Sequence, residues 1–173
     1  MSKRTARGNT WYSESMAAIE RHYPDDPGLM ADLLAITSAG MSVVANCKLA
    51  KKAYAQARNG GTRRESFMRS HYAALSHYML TGEIRGRKTG SFAECLRNPE
   101  STRVPVDLWM MRWAGIVDRK SPTKRQYDEI EERVVREARA CGMSPRDYQA
   151  KVWSETRGNG GSFANELAQL ELL

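Results

Sequence analysis

The chain has little of what staples small proteins together or holds metal ions. Its three cysteines, Cys47, Cys95 and Cys141, lie more than forty positions apart. No C-x-x-C pair or His–Cys cluster of zinc or iron–sulfur spacing can be drawn from them. His71 and His77 are six positions apart, whereas a two-histidine metal site on a helix needs i, i+4. No metal or cofactor is therefore expected, and the histidines are assigned to packing or surface. Also missing is any apolar run near the ~20 residues of a membrane span, so no membrane partner is expected. The basic residues 1–7 are not followed by the apolar stretch of a secretory leader. With an odd cysteine count, this points to a reducing, cytoplasmic location. Neither an internal repeat nor a convincing period-two strand is present.

What remains is a helical, basic, globular composition. At 173 residues, 41% hydrophobic and 27% charged, the chain has the size and make-up of one folded domain. Lys and Arg outnumber Asp and Glu by 27 to 20, a net charge of +7, which favours a polyanionic partner. Residues 1–10 read as a flexible basic arm and 11–173 as a single all-α domain. Apolar residues at helical spacing predict helices over 12–22, from 29 to about 37, from 43 to Gly60-Gly61 and over 66–80, the last with Phe67, Met68, Tyr72, Leu75, Met79 and Leu80 on its inner side. Further helices are predicted over 91–97, from 108, from Ser121-Pro122-Thr123 to Gly142, and from Ser144-Pro145, with a last short one over 163–173. Asn98-Pro99 breaks a helix, and residues 103–106 should be extended because Pro105 pushes the position before it out of the helical region.

Chemistry concentrates in Gly86-Arg87-Lys88-Thr89-Gly90 and, nineteen positions after the lysine, Asp107. The lysine falls near the start of one predicted helix and the aspartate at the N-cap of the next, a spacing that can bring an amine and a carboxylate to one cleft. Capping is the ordinary role of such an aspartate. Glycines at 82, 86 and 90 permit a tight turn with N–H groups aimed outward ahead of a helix, a suitable place for a phosphate.

At these residues the chain resembles the helix-hairpin-helix DNA glycosylase superfamily, specifically its endonuclease III-like branch. Leu80, Gly82, Gly86, Arg87, Lys88 and Thr89, followed by Val106 and Asp107, match its Leu-Pro-Gly-Val-Gly-Arg-Lys-Thr-Ala and Val-Asp-Thr-His patterns. Residues 33–39, then Val44-Ala45-Asn46 and Ala50, are similar to its Leu-Leu-Ser-x-Gln region and the helix after it. The likeness spans roughly residues 29–115. Departures are a hairpin about two residues longer at 81–85, no glutamine near Ala39, Trp109 where the family has histidine, and no cluster cysteines. They point to a remote or specialised member without an iron–sulfur cluster. Gly-x-Lys, then Asp, then Gln149-x-x-x-Trp153 also looks like small bacteriophage relatives that act on hypermodified DNA bases.

The resemblance implies DNA as partner, either double-stranded with a flipped base or single-stranded, in a bacterial or phage-infected cell. It implies Lys88 as nucleophile and Asp107 as catalytic carboxylate. Asn46, Trp109, Arg112, Gln149 and Trp153 would bind the substrate, and Gly82, Gly86, Arg87 and Thr89 the DNA phosphates. The alternatives are a phage base-hypermodification transferase on the same fold, a non-catalytic DNA-binding module, and a helical factor that binds a host protein.

Overall fold

The computed structural model describes residues 10–158, and every regular element among them is helical: α1 (Trp11–His22), α2 (Pro27–Thr37), α3 (Val43–Arg58), a 3-10 turn (Arg64–Ser66), α4 (Arg69–Thr81), α5 (Arg87–Arg97), α6 (Leu108–Trp113), α7 (Lys124–Ala140) and α8 (Pro145–Arg157). Most of the predicted basic arm, and the predicted helix over 163–173, lie outside the described residues. Among the described residues no helix is long and apolar enough to cross a membrane.

Most starts have a local cause. Asp26 caps α2 by accepting from the Leu29 N–H at 2.9 Å, with Pro27 already in the first turn, so the helix starts two residues before the predicted 29. Thr123 and Gln126 form a reciprocal capping box on α7, and Ser144 caps α8 ahead of Pro145. α2 is buried along its length, with Met30, Ala31, Leu33, Leu34, Ala35 and Ile36 all inside. A helix apolar all round must be central, and α1, α3, α4 and α5 pack around it.

Two departures from the sequence reading bear on the site. α4 turns a different face inward: Leu75 and His71 are buried, whereas Met68 and Met79 are exposed and Leu80 is 86% exposed. Polar anchoring chooses that face. His71 Nε2 meets the Ala39 carbonyl at 3.0 Å, and the Tyr78 hydroxyl donates to buried Asp32 at 2.7 Å. The second departure is that α5 begins at Arg87, a turn before the predicted 91. Gly82 (φ 73°) ends α4 and Gly86 (φ 89°) starts α5, both in the region open mainly to glycine. Gly90 is helical, its N–H donating to the Gly86 carbonyl, and Lys88 and Thr89 occupy the first turn.

The interior has two main apolar clusters. One gathers Trp11, Ile19, Met30, Leu34, Phe92 and Leu96; the other gathers Val104, Val106, Met110, Met111, Ile130 and Val134. Trp153 on α8 packs against both, and the candidate site opens along this seam.

Candidate active site

Asp107 is placed by the extended segment before it. The Tyr127 hydroxyl donates to the Val104 carbonyl at 2.8 Å and accepts from the Val106 N–H at 3.3 Å, while Glu131 accepts from the Val104 N–H at 3.0 Å. Pro105, between the two valines, has no N–H to satisfy. α7 thus straps residues 104–106 in place, and the chain enters α6 at Asp107. One carboxylate oxygen of Asp107 accepts from the Trp109 and Met110 N–H groups, both at 3.0 Å, and the other accepts from the Trp153 indole N–H at 2.8 Å. A carboxylate has about four acceptor positions, so one remains for a ligand.

Lys88 reaches the same place from the first turn of α5. It is half-buried and makes no ion pair among the described residues. Its neighbour Arg87 is committed elsewhere: the guanidinium bonds Asp128 and Glu131 and lies 4.1 Å from the Tyr127 ring centroid. α7 therefore anchors the residues next to both members of the candidate pair.

Lys88 and Asp107 line one pocket of about 160 Å³, together with Asn46, Trp109, Gln149 and Trp153. All six residues came from the sequence reading. The amides are partly engaged. Asn46 donates to the Leu34 carbonyl at 3.0 Å and accepts from Thr37 at 2.7 Å, tying α3 to α2. Gln149 accepts from the Tyr12 hydroxyl at 2.8 Å and donates to the Pro105 carbonyl at 3.5 Å. Each keeps an amide N–H for a ligand. Burial, with smaller contributions from Cys95 and Asp107, pushes the Tyr12 hydroxyl well above its ordinary value, so it stays a neutral donor to Gln149.

Other expected residues stand apart. Arg112 does not line the pocket and donates to the Ile116 carbonyl at 3.2 Å, at the end of α6. Gly82, Gly86 and Thr89 line neither this pocket nor the recess at its mouth. Arg87 lines the recess, but with its charge already matched by two carboxylates.

Sequence reasoning missed Trp11, Tyr12, Phe92 and Arg157, all of which line the pocket. The Trp11 ring lies 4.8 Å from that of Tyr12, 6.1 Å from Phe92 and 6.2 Å from Trp153, centroid to centroid, a packed aromatic wall. Arg157 stacks on Trp153 at 4.9 Å. The signal available was the Trp11-Tyr12 pair. Adjacent helical side chains diverge by about 100°, so two large aromatics in succession call for cover on two sides. Among the described residues no group of three or more His, Cys, Asp or Glu is placed to hold a metal ion.

No curated protein and no solved structure matches the chain. One family model, described as a family of unknown function (DUF7178), matches residues 1–160. Since that match takes in most of the 173 residues, the chain belongs to the DUF7178 family.

Proposed function

We propose that this protein is a DNA glycosylase-like enzyme acting on a nucleobase, with Lys88 as nucleophile and Asp107 as the catalytic carboxylate. The observation that carries the reading is the shared pocket: an amine from the first turn of α5 and a carboxylate from the cap of α6 line one cavity walled by tryptophan, tyrosine and phenylalanine rings. A base lifted out of the stack needs such rings to stack on and polar groups to read its edge. The passage from α4 through the glycine-bounded link 82–86 into α5 supports the likeness to a helix-hairpin-helix scaffold.

In this reading Asp107 takes a proton from the Lys88 ammonium, the amine so freed bonds to the sugar C1′ and the glycosidic bond breaks, its electron pair leaving on the base. The proton shed by the lysine nitrogen passes by way of Asp107 to the departing base. Opening of the sugar ring then gives a C=N bond between lysine and sugar, which water hydrolyses. Asp107 also stabilises positive charge developing on the sugar.

Borohydride trapping on a panel of duplexes with damaged or modified bases tests the chemistry. A covalent adduct that disappears in Lys88→Ala is the expected result. The absence of an adduct with every substrate, together with unchanged turnover in Lys88→Ala, refutes the nucleophile. The three hydrogen bonds that Asp107 accepts as a cap and tether favour a second reading, a DNA-binding module without turnover. Salt-dependent DNA binding with no product from any substrate would establish that one instead.

A further inference from the structure

The aromatic pocket is too small for a whole nucleotide. At about 160 Å³ it falls below the ~300–1,000 Å³ of sites that engulf drug-sized ligands. A single planar ring system suits it. At its mouth lies a second recess of about 540 Å³ that shares Lys88, Asp107 and Trp109 with the pocket and adds Lys120 and Ser121 from the α6–α7 loop. The shared lining sets the two spaces side by side, an inner ring slot and an outer polar chamber.

Charge sets what the chamber holds. Of its cations, Arg87 is matched by two carboxylates, whereas neither Lys88 nor Lys120 forms an ion pair among the described residues. Asp107, the one acid among the described residues that line it, already accepts three hydrogen bonds. Residues 115–125 carry four basic side chains against one acidic. We infer that the outer chamber binds the phosphodiester next to the base held in the inner pocket, with Lys120 as the phosphate-binding residue. A lysine serves there as a mobile point charge, and the Ser121 hydroxyl supplies a second donor. The inference rests on the nucleobase reading and adds to it a residue from a loop outside the glycine turn.

The test is fluorescence anisotropy with a short labelled duplex carrying one mismatched base pair, whose bases leave the stack most readily, for the full-length protein, Lys120→Gln and Lys52→Gln. Lys52 lines neither space and controls for net charge. Losing one phosphate contact lowers the slope of log K against log salt by about 0.7–0.9, which weakens binding about ten-fold at 50 mM salt and about four-fold at 200 mM. That change in Lys120→Gln, with little in Lys52→Gln, is the expected result. An unchanged slope in Lys120→Gln, or equal changes in both variants, overturns the inference. If the unaltered protein binds no DNA, the DNA reading fails by itself. The same variants are then compared on a deoxynucleoside 5′-monophosphate and its nucleoside: a preference for the monophosphate lost in Lys120→Gln sustains the phosphate site, and no preference ends it.

Discussion

Replacing Asp107 by asparagine separates its structural role from its chemical one. The amide oxygen can still accept from the Trp109 and Met110 N–H groups, so the cap survives, but the amide nitrogen then faces the Trp153 indole N–H, which now sits 2.8 Å from a carboxylate oxygen. A donor facing a donor leaves one unsatisfied, at a cost of about 1–3 kcal/mol, and the half-buried setting selects the lower part of that range. Asp107→Ala forfeits the cap as well, about 1 kcal/mol more, so it should cost about 2–3 kcal/mol. At ~2–4 °C per kcal/mol for a domain of this size, the Asn variant loses roughly 2–8 °C in Tm and the Ala variant roughly 4–12 °C. In a Trp153→Phe background no donor remains to be orphaned, and Asp107→Asn should then cost under ~0.5 kcal/mol, a coupling of about 1–1.5 kcal/mol. Urea unfolding of the four proteins near neutral pH, with m unchanged, measures it. Equal costs of Asp107→Asn in both backgrounds, within ~0.3 kcal/mol, would refute the tether. The Trp153→Phe, Asp107→Asn protein should be folded, bind DNA and turn nothing over.

Three further outcomes follow from other parts of the molecule. Glu137 accepts from Arg133 Nε at 2.7 Å and the Tyr148 hydroxyl at 2.6 Å, which hold its carboxyl below its ordinary 4.5. The stability it contributes is present above that value and lost as pH falls through the folded one, so Glu137→Gln should flatten the acid limb of urea midpoints taken from pH 7 to 3. Burial pushes the Cys95 thiol up to about 12, Cys47 is buried and Cys141 exposed. A thiol reagent should therefore label one equivalent in the native protein and none in Cys141→Ser, and two or more native equivalents would contradict the packing. Gly86→Ala forces alanine to φ 89° and should cost about 1–3 kcal/mol while displacing Lys88. Gly90→Ala, helical with open space around a new Cβ, should stabilise by about 0.4–1 kcal/mol, a contrast read by differential scanning calorimetry.

Local rules carried the reading a long way. Pro105 forced extension, Asp107 then fell where a cap belongs, and the cap is there. The thirteen-residue α8 opens at Ser144-Pro145 for the same kind of reason. What failed was whatever depends on distant partners. Arg87, expected at a phosphate, is bonded to carboxylates 41 and 44 positions away, and no short-range pattern marks that pairing. On α4 a hydrophobicity count favoured Met68, Met79 and Leu80, yet His71 and Tyr78 chose the buried face through bonds to Ala39 and Asp32. The tie from Trp153 to Asp107, across 46 positions, is equally invisible to any short-range pattern.

The supports of the two candidate residues hang from Tyr127, Asp128 and Glu131, a stretch of barely one turn on α7. That turn acts as a ruler: a slide or roll of α7 carries lysine and aspartate together and leaves the gap between them unchanged. α8 ties in on both sides as well, to Asp107 through Trp153 and to the Cys95 carbonyl of α5 through Arg146 at 2.9 Å. A pull on the end of α8, where Arg157 stacks on Trp153, is therefore shared between α5 and Asp107, so the spacing of lysine and aspartate is held from two helices at once.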